Sequence, residues 1–162
     1  MIDPDGHRWK IRRAGEADFP IWAQMLASLH SETREAEFLA ELRELVALDD
    51  PYVAFLAFDA EGRSVGMIDA RVRNYAEDSP KLRAGYVEDL WVAPLARNKG
   101  VARALLAAVE EWALAQGLCW LGSDTTLENF ASQRWHVAVG FREVERLVVF
   151  GKPLADRGTA GS

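Results

Sequence analysis

One cysteine, three histidines and no apolar run of membrane-spanning length are what this 162-residue sequence has least of. The single thiol, Cys119, excludes an internal disulfide, and in the strand-patterned run "LCWLGS" it reads as a buried, inert side chain. His7, His30 and His136 are scattered and no Cys/His cluster exists, so no metal is expected. A bilayer crossing takes about 20 consecutive apolar residues. Nothing here approaches that, and Met1 to Lys10 lacks the hydrophobic segment of a signal peptide, so the expectation is a soluble cytoplasmic protein with no membrane partner. Basic charge is short too. Against 25 Asp and Glu stand 19 Lys and Arg, a net charge of −6, which argues against nucleic acid as the partner. An acidic surface instead draws cations, although moderate acidity is also ordinary for soluble proteins.

What is present is a globular composition, 49% hydrophobic with six Trp and seven Phe. The length suits a single domain, read here as 1–153, followed by a small, polar, disordered tail at 154–162. No repeat or low-complexity tract interrupts it. "RWKIRRA" reads as a first strand. "GEADFPIWAQMLASLH" reads as a helix with Phe19, Trp22, Met25, Leu26 and Leu29 on one face. "REAEFLAELRELVAL" repeats Phe38, Leu42, Leu45 and Val46 at helical spacing and is ended by "DDP". "YVAFLAF" and "SVGMIDARVR", separated by "DAEGR", form a hairpin, and "LRAGYVEDLWV" completes an antiparallel meander. A helix from Gly100 to Gln116 follows, closed by Gly117. Then come the strand "LCWLGS", a helix over "NFASQRWHVAVG" and a final strand "REVERLVVF". The order β-α-α-β-β-β-α-β-α-β is a mixed, mostly antiparallel α/β sheet covered by helices. Its βαβ crossover makes "LWV" and "LCWLGS" parallel neighbours. Ligands in such sheets sit at the carboxyl ends of strands beside helix N-termini.

"RNKGVARALL" lies at such a place. A helix N-terminus offers backbone N–H groups without internal partners and the positive end of the helix dipole. Gly100 lets the chain bend tightly around an anion, Ala102 keeps the next turn small, and Arg97 and Lys99 add charge. The segment lacks the two glycines and Lys-Ser/Thr of a P-loop and the three spaced glycines of a dinucleotide fingerprint. Taken alone it fits a pyrophosphate cradle or a solvated basic cap equally well.

Its Arg-x-x-Gly-x-Ala core, the element order and "NFASQRWHVAVGF" resemble the GNAT superfamily of acyl-CoA-dependent N-acetyltransferases. The resemblance implies acetyl-CoA as cosubstrate. It places Arg97, Asn98, Lys99, Gly100, Val101 and Ala102 at the phosphates, Leu90, Trp91 and Val92 at the pantetheine and acetyl group, and Asn129 on the cofactor's other side. "DARVRNY", "YVEDLWV" and "GSDTTLENFASQRWHVAVGFREVERLVVF" are most similar to the aminoglycoside 6'-N-acetyltransferases. That likeness implies a cationic aminoglycoside acceptor and a homodimer. The alternative keeps the chemistry and changes the acceptor to a polyamine, amino sugar or peptide amine.

Acetyl transfer needs a neutral amine against the thioester and a group to take its proton. By resemblance, Glu88, Asp124 and Glu145 are the acidic positions that hold the acceptor, with Asp124 or Glu88 taking the proton and Tyr75 and His30 lining the site. Each residue has a second reading. Asp124 in "SDTT" suits a helix N-cap, Glu88 a solvated strand face or bulge, Glu145 a pair with Arg142 or Arg146, and Tyr75 a surface anchor. Asp89, next to Glu88, points the other way by strand alternation. His136 stands where the resembled family carries a Tyr that protonates the departing thiolate. It also fits plain helix packing. His30 replaces the aromatic wall that the aminoglycoside subfamily carries.

Overall fold

A computed structural model describes residues 9–30, 34–47 and 51–154. Met1–Thr126 form one compact unit and Leu127–Ser162 a second. His7, the Asp49-Asp50 helix stop and residues 155–162 of the expected tail lie outside the described residues.

In the first unit the strands are β1 (Lys10–Arg13), β2 (Tyr52–Phe58), β3 (Ser64–Arg73), β4 (Ala84–Val92) and β5 (Leu121–Ser123), in the spatial order β1-β2-β3-β4-β5. All neighbours are antiparallel except β4 and β5, which are parallel. The helices are α1 (Phe19–Leu29), α2 (Glu35–Ala47) and α3 (Val101–Ala115).

Register sorts the side chains of β3 between two layers. Met67 packs with Trp22, Met25 and Leu26 of α1 and Leu42 of α2 in one apolar cluster, joined by Trp91 from the strand opposite it. Gly66, one residue earlier, turns its α-carbon to α3: a β-carbon there would lie 3.1 Å from Val101 and 3.2 Å from Leu105. Alternation along the strand therefore gives odd residues to α1 and α2 and even residues to α3. α3 buries Val101, Ala104, Leu105, Leu106, Val109, Trp112 and Ala113, the stripe of a one-faced helix. It ends as its sequence predicts. Gly117 at φ 73° lets its own N–H reach the Leu114 carbonyl and the Leu118 N–H reach that of Ala113.

In the second unit α4 (Phe130–Ala138) begins at Asn129, whose side-chain oxygen accepts the Ser132 N–H at 3.1 Å. The strand expected at 142–150 does not form. Val144, Leu147, Val148, Val149 and Phe150 are exposed, and among the described residues this run joins no ladder. Its β-branched composition suits a strand, but a strand exists only where a neighbour takes its backbone bonds. The segment around Cys119 is also corrected. β5 starts only at Leu121, and Cys119, expected buried, is exposed.

The close approach of β3 to α3 leaves no room at position 66. A methyl there would meet the Trp91 carbonyl oxygen at 2.9 Å as well as α3. Gly66→Ala should lower stability by about 1–3 kcal/mol, read as an earlier urea midpoint at unchanged slope. A midpoint equal to the wild type would contradict this packing.

Candidate active site

The site begins where pairing stops. β5 meets β4 only at Gly85↔Leu121, Tyr86↔Gly122 and Val87↔Ser123, whereas β4 runs on to Val92. On its β5 side the backbone from Glu88 to Val92 is thus open to an extended ligand. On its β3 side it remains paired as far as Val92 opposite Gly66.

Beyond Val92 a 3-10 turn, Pro94–Ala96, leads into the basic loop. Asn98 (φ 60°) and Gly100 (φ 80°) adopt the left-handed conformation, and no side chain caps α3. The first backbone N–H groups of a 15-residue helix are therefore left to whatever anion docks there. Arg97 folds back so that its Nε donates to the Val92 carbonyl at 3.0 Å, and the Lys99 carbonyl accepts the Trp9 indole N–H at 2.8 Å. These bonds hold the loop in shape. The uncapped helix start, the left-handed residues and the cations fit a pyrophosphate. Leu90 and Val92 stand on the open stretch, while Trp91 sends its ring into the α1/α2 cluster and has only its backbone to offer there.

Between Asp69 and Ala70 of β3 the register to β4 shifts: Asp69 faces Asp89 and Ala70 faces Val87, so Glu88 is the extra residue of a bulge. The bulge cancels alternation and overturns the expected orientation of Asp89. Directly opposed residues share a face, so Asp89 lies on the face of Asp69, Arg71 and Arg73. Glu88 reaches that same face, donated to by Arg73 Nε at 2.9 Å and Nη2 at 2.6 Å, with Arg71 Nε at 4.0 Å. His30, the C-cap residue of α1, brings Nε2 to 2.7 Å from the Asp89 carboxylate. Arg73 also lies over the Tyr86 ring, 3.5 Å from its centre. Tyr86 is pushed up to about 12 by burial first and then by the charge of Asp124, to which it hydrogen-bonds. Asp124, Tyr86, Arg73 and Glu88 thus form one chain of contacts beside the open stretch of β4. The N-cap reading of Asp124 falls, because α4 starts six residues later and Asn129 caps it.

Tyr75 is 65% exposed in the loop after β3. Within the second unit, Nδ1 of His136 donates to the Ser132 carbonyl at 2.8 Å, and the ring packs edge-on against Trp135 and Phe141. Glu145 is exposed in the irregular run, where Arg146 pairs with Glu143 at 2.6 Å instead. Sequence reasoning missed Arg73, Tyr86 and above all Asp69, for which the one signal was a lone acid inside "SVGMIDARVR".

The chain matches the model of the Acetyltransferase (GNAT) family over residues 19–141. The chain belongs to that family. An aminoglycoside N(6')-acetyltransferase type 1 of Stenotrophomonas maltophilia is 37% identical over 145 residues, covering 89% of this chain and 93% of that one. One of Serratia marcescens is 36% identical over 137 residues, 82% and 91% of the respective chains. Among solved structures, the aminoglycoside acetyltransferase AAC(6')-Iy bound to the bisubstrate analogue CoA-S-monomethyl-acetylneamine superposes with a TM-score of 0.82 at 30% identity, over 91% of this chain and 99% of that one. The same enzyme in complex with CoA gives 0.83 at 30%, covering 93% and 99%. Among the described residues no group of side chains suits a metal ion and no helix is long and apolar enough to cross a membrane.

The acid at the bulge sets a pH dependence. Asp69 is 3% exposed, and burial first, then the charge of Asp89 and more weakly that of Glu88, outweigh the hydrogen bonds from Tyr52 and the Asp89 N–H, pushing it up to about 8. Arg71 and Arg73 stand on its own strand, and His30 contacts the neighbouring Asp89. An unfolded Asp titrates near about 3.9. The folded state therefore binds the extra proton between those values, and its stability falls as pH rises through that window. Asp69→Asn, which cannot ionise, should gain on the wild type by on the order of 1–3 kcal/mol between about pH 5 and about pH 8. Urea unfolding at both pH values checks this, and a constant gap between the proteins would contradict it.

Proposed function

We propose that this chain is an acetyl-CoA-dependent aminoglycoside 6'-N-acetyltransferase that works by direct attack in a ternary complex. The observation that carries the reading is the open half of β4, which runs between an uncapped helix N-terminus and a cluster of carboxylates. Acetyl-CoA would supply the activated acetyl thioester, its pyrophosphate held by residues 97–102 and its arm laid along Leu90 to Val92. The sequence likeness over most of the chain to aminoglycoside N(6')-acetyltransferases supports the choice of acceptor.

The amine must arrive uncharged at the thioester carbonyl, where a C–N bond forms, the C–S bond breaks, and one amine proton has to leave. Asp124, exposed and hydrogen-bonded by Tyr86, is the carboxylate we assign to take that proton. Glu88 is already neutralised by Arg73, so its part is to orient the acceptor. Asp89 beside His30, with Tyr75 and Glu145, would hold the remaining ammonium groups. His136, whose Nδ1 proton is engaged by a carbonyl, has a second proton to give the thiolate only as the imidazolium. Asn129 is assigned to the cofactor as well as to its cap. Residues 1–153 would act as one acetyltransferase domain, which the span of the family match supports. The working form would be a cytoplasmic homodimer. Its support is the exposed apolar run from Val144 to Phe150, which a second copy would cover.

Two variants separate cofactor from acceptor. Gly100→Asp places a carboxylate and a strained left-handed residue in the cradle, so calorimetry should find acetyl-CoA affinity reduced at least about tenfold while circular dichroism stays native. Asp124→Asn should slow kcat/KM for kanamycin by about 10²–10⁴-fold and leave acetyl-CoA affinity and Tm alone. A loss below about threefold would remove Asp124 from the chemistry. Turnover with spermidine or lysine but not with kanamycin or gentamicin would overturn the choice of acceptor.

A further inference from the structure

Asp69 is a carboxylate in the middle of β3 that the reaction described above does not use. Its two oxygens have separate tasks. Oδ1 accepts the backbone N–H of Asp89 at 2.8 Å, and Oδ2 accepts the Tyr52 hydroxyl at 2.5 Å. The Tyr52 ring in turn stacks on Trp22 of α1, centres 5.9 Å apart and planes 13° from parallel. The end of the same helix holds the Asp89 side chain through His30. Asp89 is therefore gripped twice, by its N–H through Asp69 and by its carboxylate through His30, and both grips lead back to α1.

The grip falls where the sheet register is irregular. At a bulge the regular ladder supplies too few partners, and the unpaired N–H needs another acceptor. Keeping a carboxylate 3% exposed in a strand is costly, and an apolar residue would pack there without that penalty. What an acid supplies at that place and an apolar residue does not is an acceptor for the Asp89 N–H.

We propose that Asp69 is a positioning residue for acetyl transfer: by accepting the Asp89 N–H it fixes the bulge that turns Glu88 and Asp89 to one face and sets the open backbone of β4 at the distance the thioester needs. The proposal rests on the acetyltransferase reading above. Displacing a reacting group by about 1 Å can slow a reaction about 10²-fold. Asp69 touches no reactant, so its effect reaches the chemistry through Asp89 and Glu88.

The test compares Asp69→Ala, Asp69→Asn and Tyr52→Phe, with steady-state kinetics, acetyl-CoA calorimetry and backbone amide exchange by NMR. In Asp69→Ala, kcat should fall about 10- to 100-fold, with acetyl-CoA affinity within about threefold. The Asp89 amide should exchange at least about tenfold faster. Asn keeps an oxygen for the Asp89 N–H and can donate its NH₂ to Tyr52, so Asp69→Asn should recover most of kcat and of the Asp89 protection. Should Asp69→Ala fail to fold, Tyr52→Phe, which keeps the packed ring, should show a smaller fall in kcat with faster Asp89 exchange. Unchanged kcat and exchange in the alanine variant, or in Tyr52→Phe where that one stands in, overturns the proposal. So does an asparagine variant as slow as alanine, because an acceptor held at that place would then not be the contribution. The amide readout needs no acceptor. A protein that acetylated no aminoglycoside would thus lose the substrate assignment, while the Asp89 exchange rates would still uphold or overturn the clamp.

Discussion

β4 is longer than the strand beside it, and the site follows from that inequality. Three residue pairs join β4 to β5, and after Ser123 the neighbour is gone while β4 continues to Val92. Backbone N–H and C=O groups left open in this way need partners. A sheet that paired them fully would have no place for an extended acyl carrier. Four residues of β4, Asp89 to Val92, remain fastened to β3 on their other side, so the open groups are held still while being unpaired.

Three devices keep that stretch in place. The Gly66 α-carbon lets α3 pack closely under the Val92 end of the ladder. The Arg97 bond to the Val92 carbonyl and the Trp9 bond to the Lys99 carbonyl shape the loop that delivers the α3 N-terminus. The bulge at Glu88, gripped through Asp69 and His30, puts two neighbouring acids on one face where a regular strand would separate them. Packing, loop geometry and electrostatics thus converge on a few residues of one strand.

Charge beside the open stretch of β4 is arranged rather than merely abundant. Glu88 is bound by Arg73, which stacks on Tyr86, which bonds Asp124. The chain of contacts neutralises one acid and leaves the other exposed to meet a cation. A buried acid near the same face, Asp69, holds backbone instead. The net charge of −6 therefore says less about the acceptor than the order in which the acids are paired.

Local signals were readable wherever the physics is local. Helical periodicity placed α1 and α3, the glycine after α3 closed it with the expected pair of bonds, the apolar alternating runs became β2, β3 and β4, and the Arg-x-x-Gly-x-Ala segment carried the family. What depends on a partner strand was not readable. No single-chain pattern reveals that β5 begins only at Leu121, that Cys119 is exposed, or that the β-rich run 142–150 joins no ladder, because strand formation is decided by the neighbour. The bulge was hidden for the same reason. A one-residue shift between β3 and β4 moves Asp89 to the face of Glu88, and that shift is a property of two strands and the acid that pins them. The sequence by itself determined the helices, the β2-β3-β4 meander, the basic glycine turn before α3 and the identity of the acids, since backbone preference and side-chain chemistry are local. Which acids share a face, which are neutralised and which hold the chain was decided only by tertiary structure, because register and pairing join residues that lie far apart along the chain.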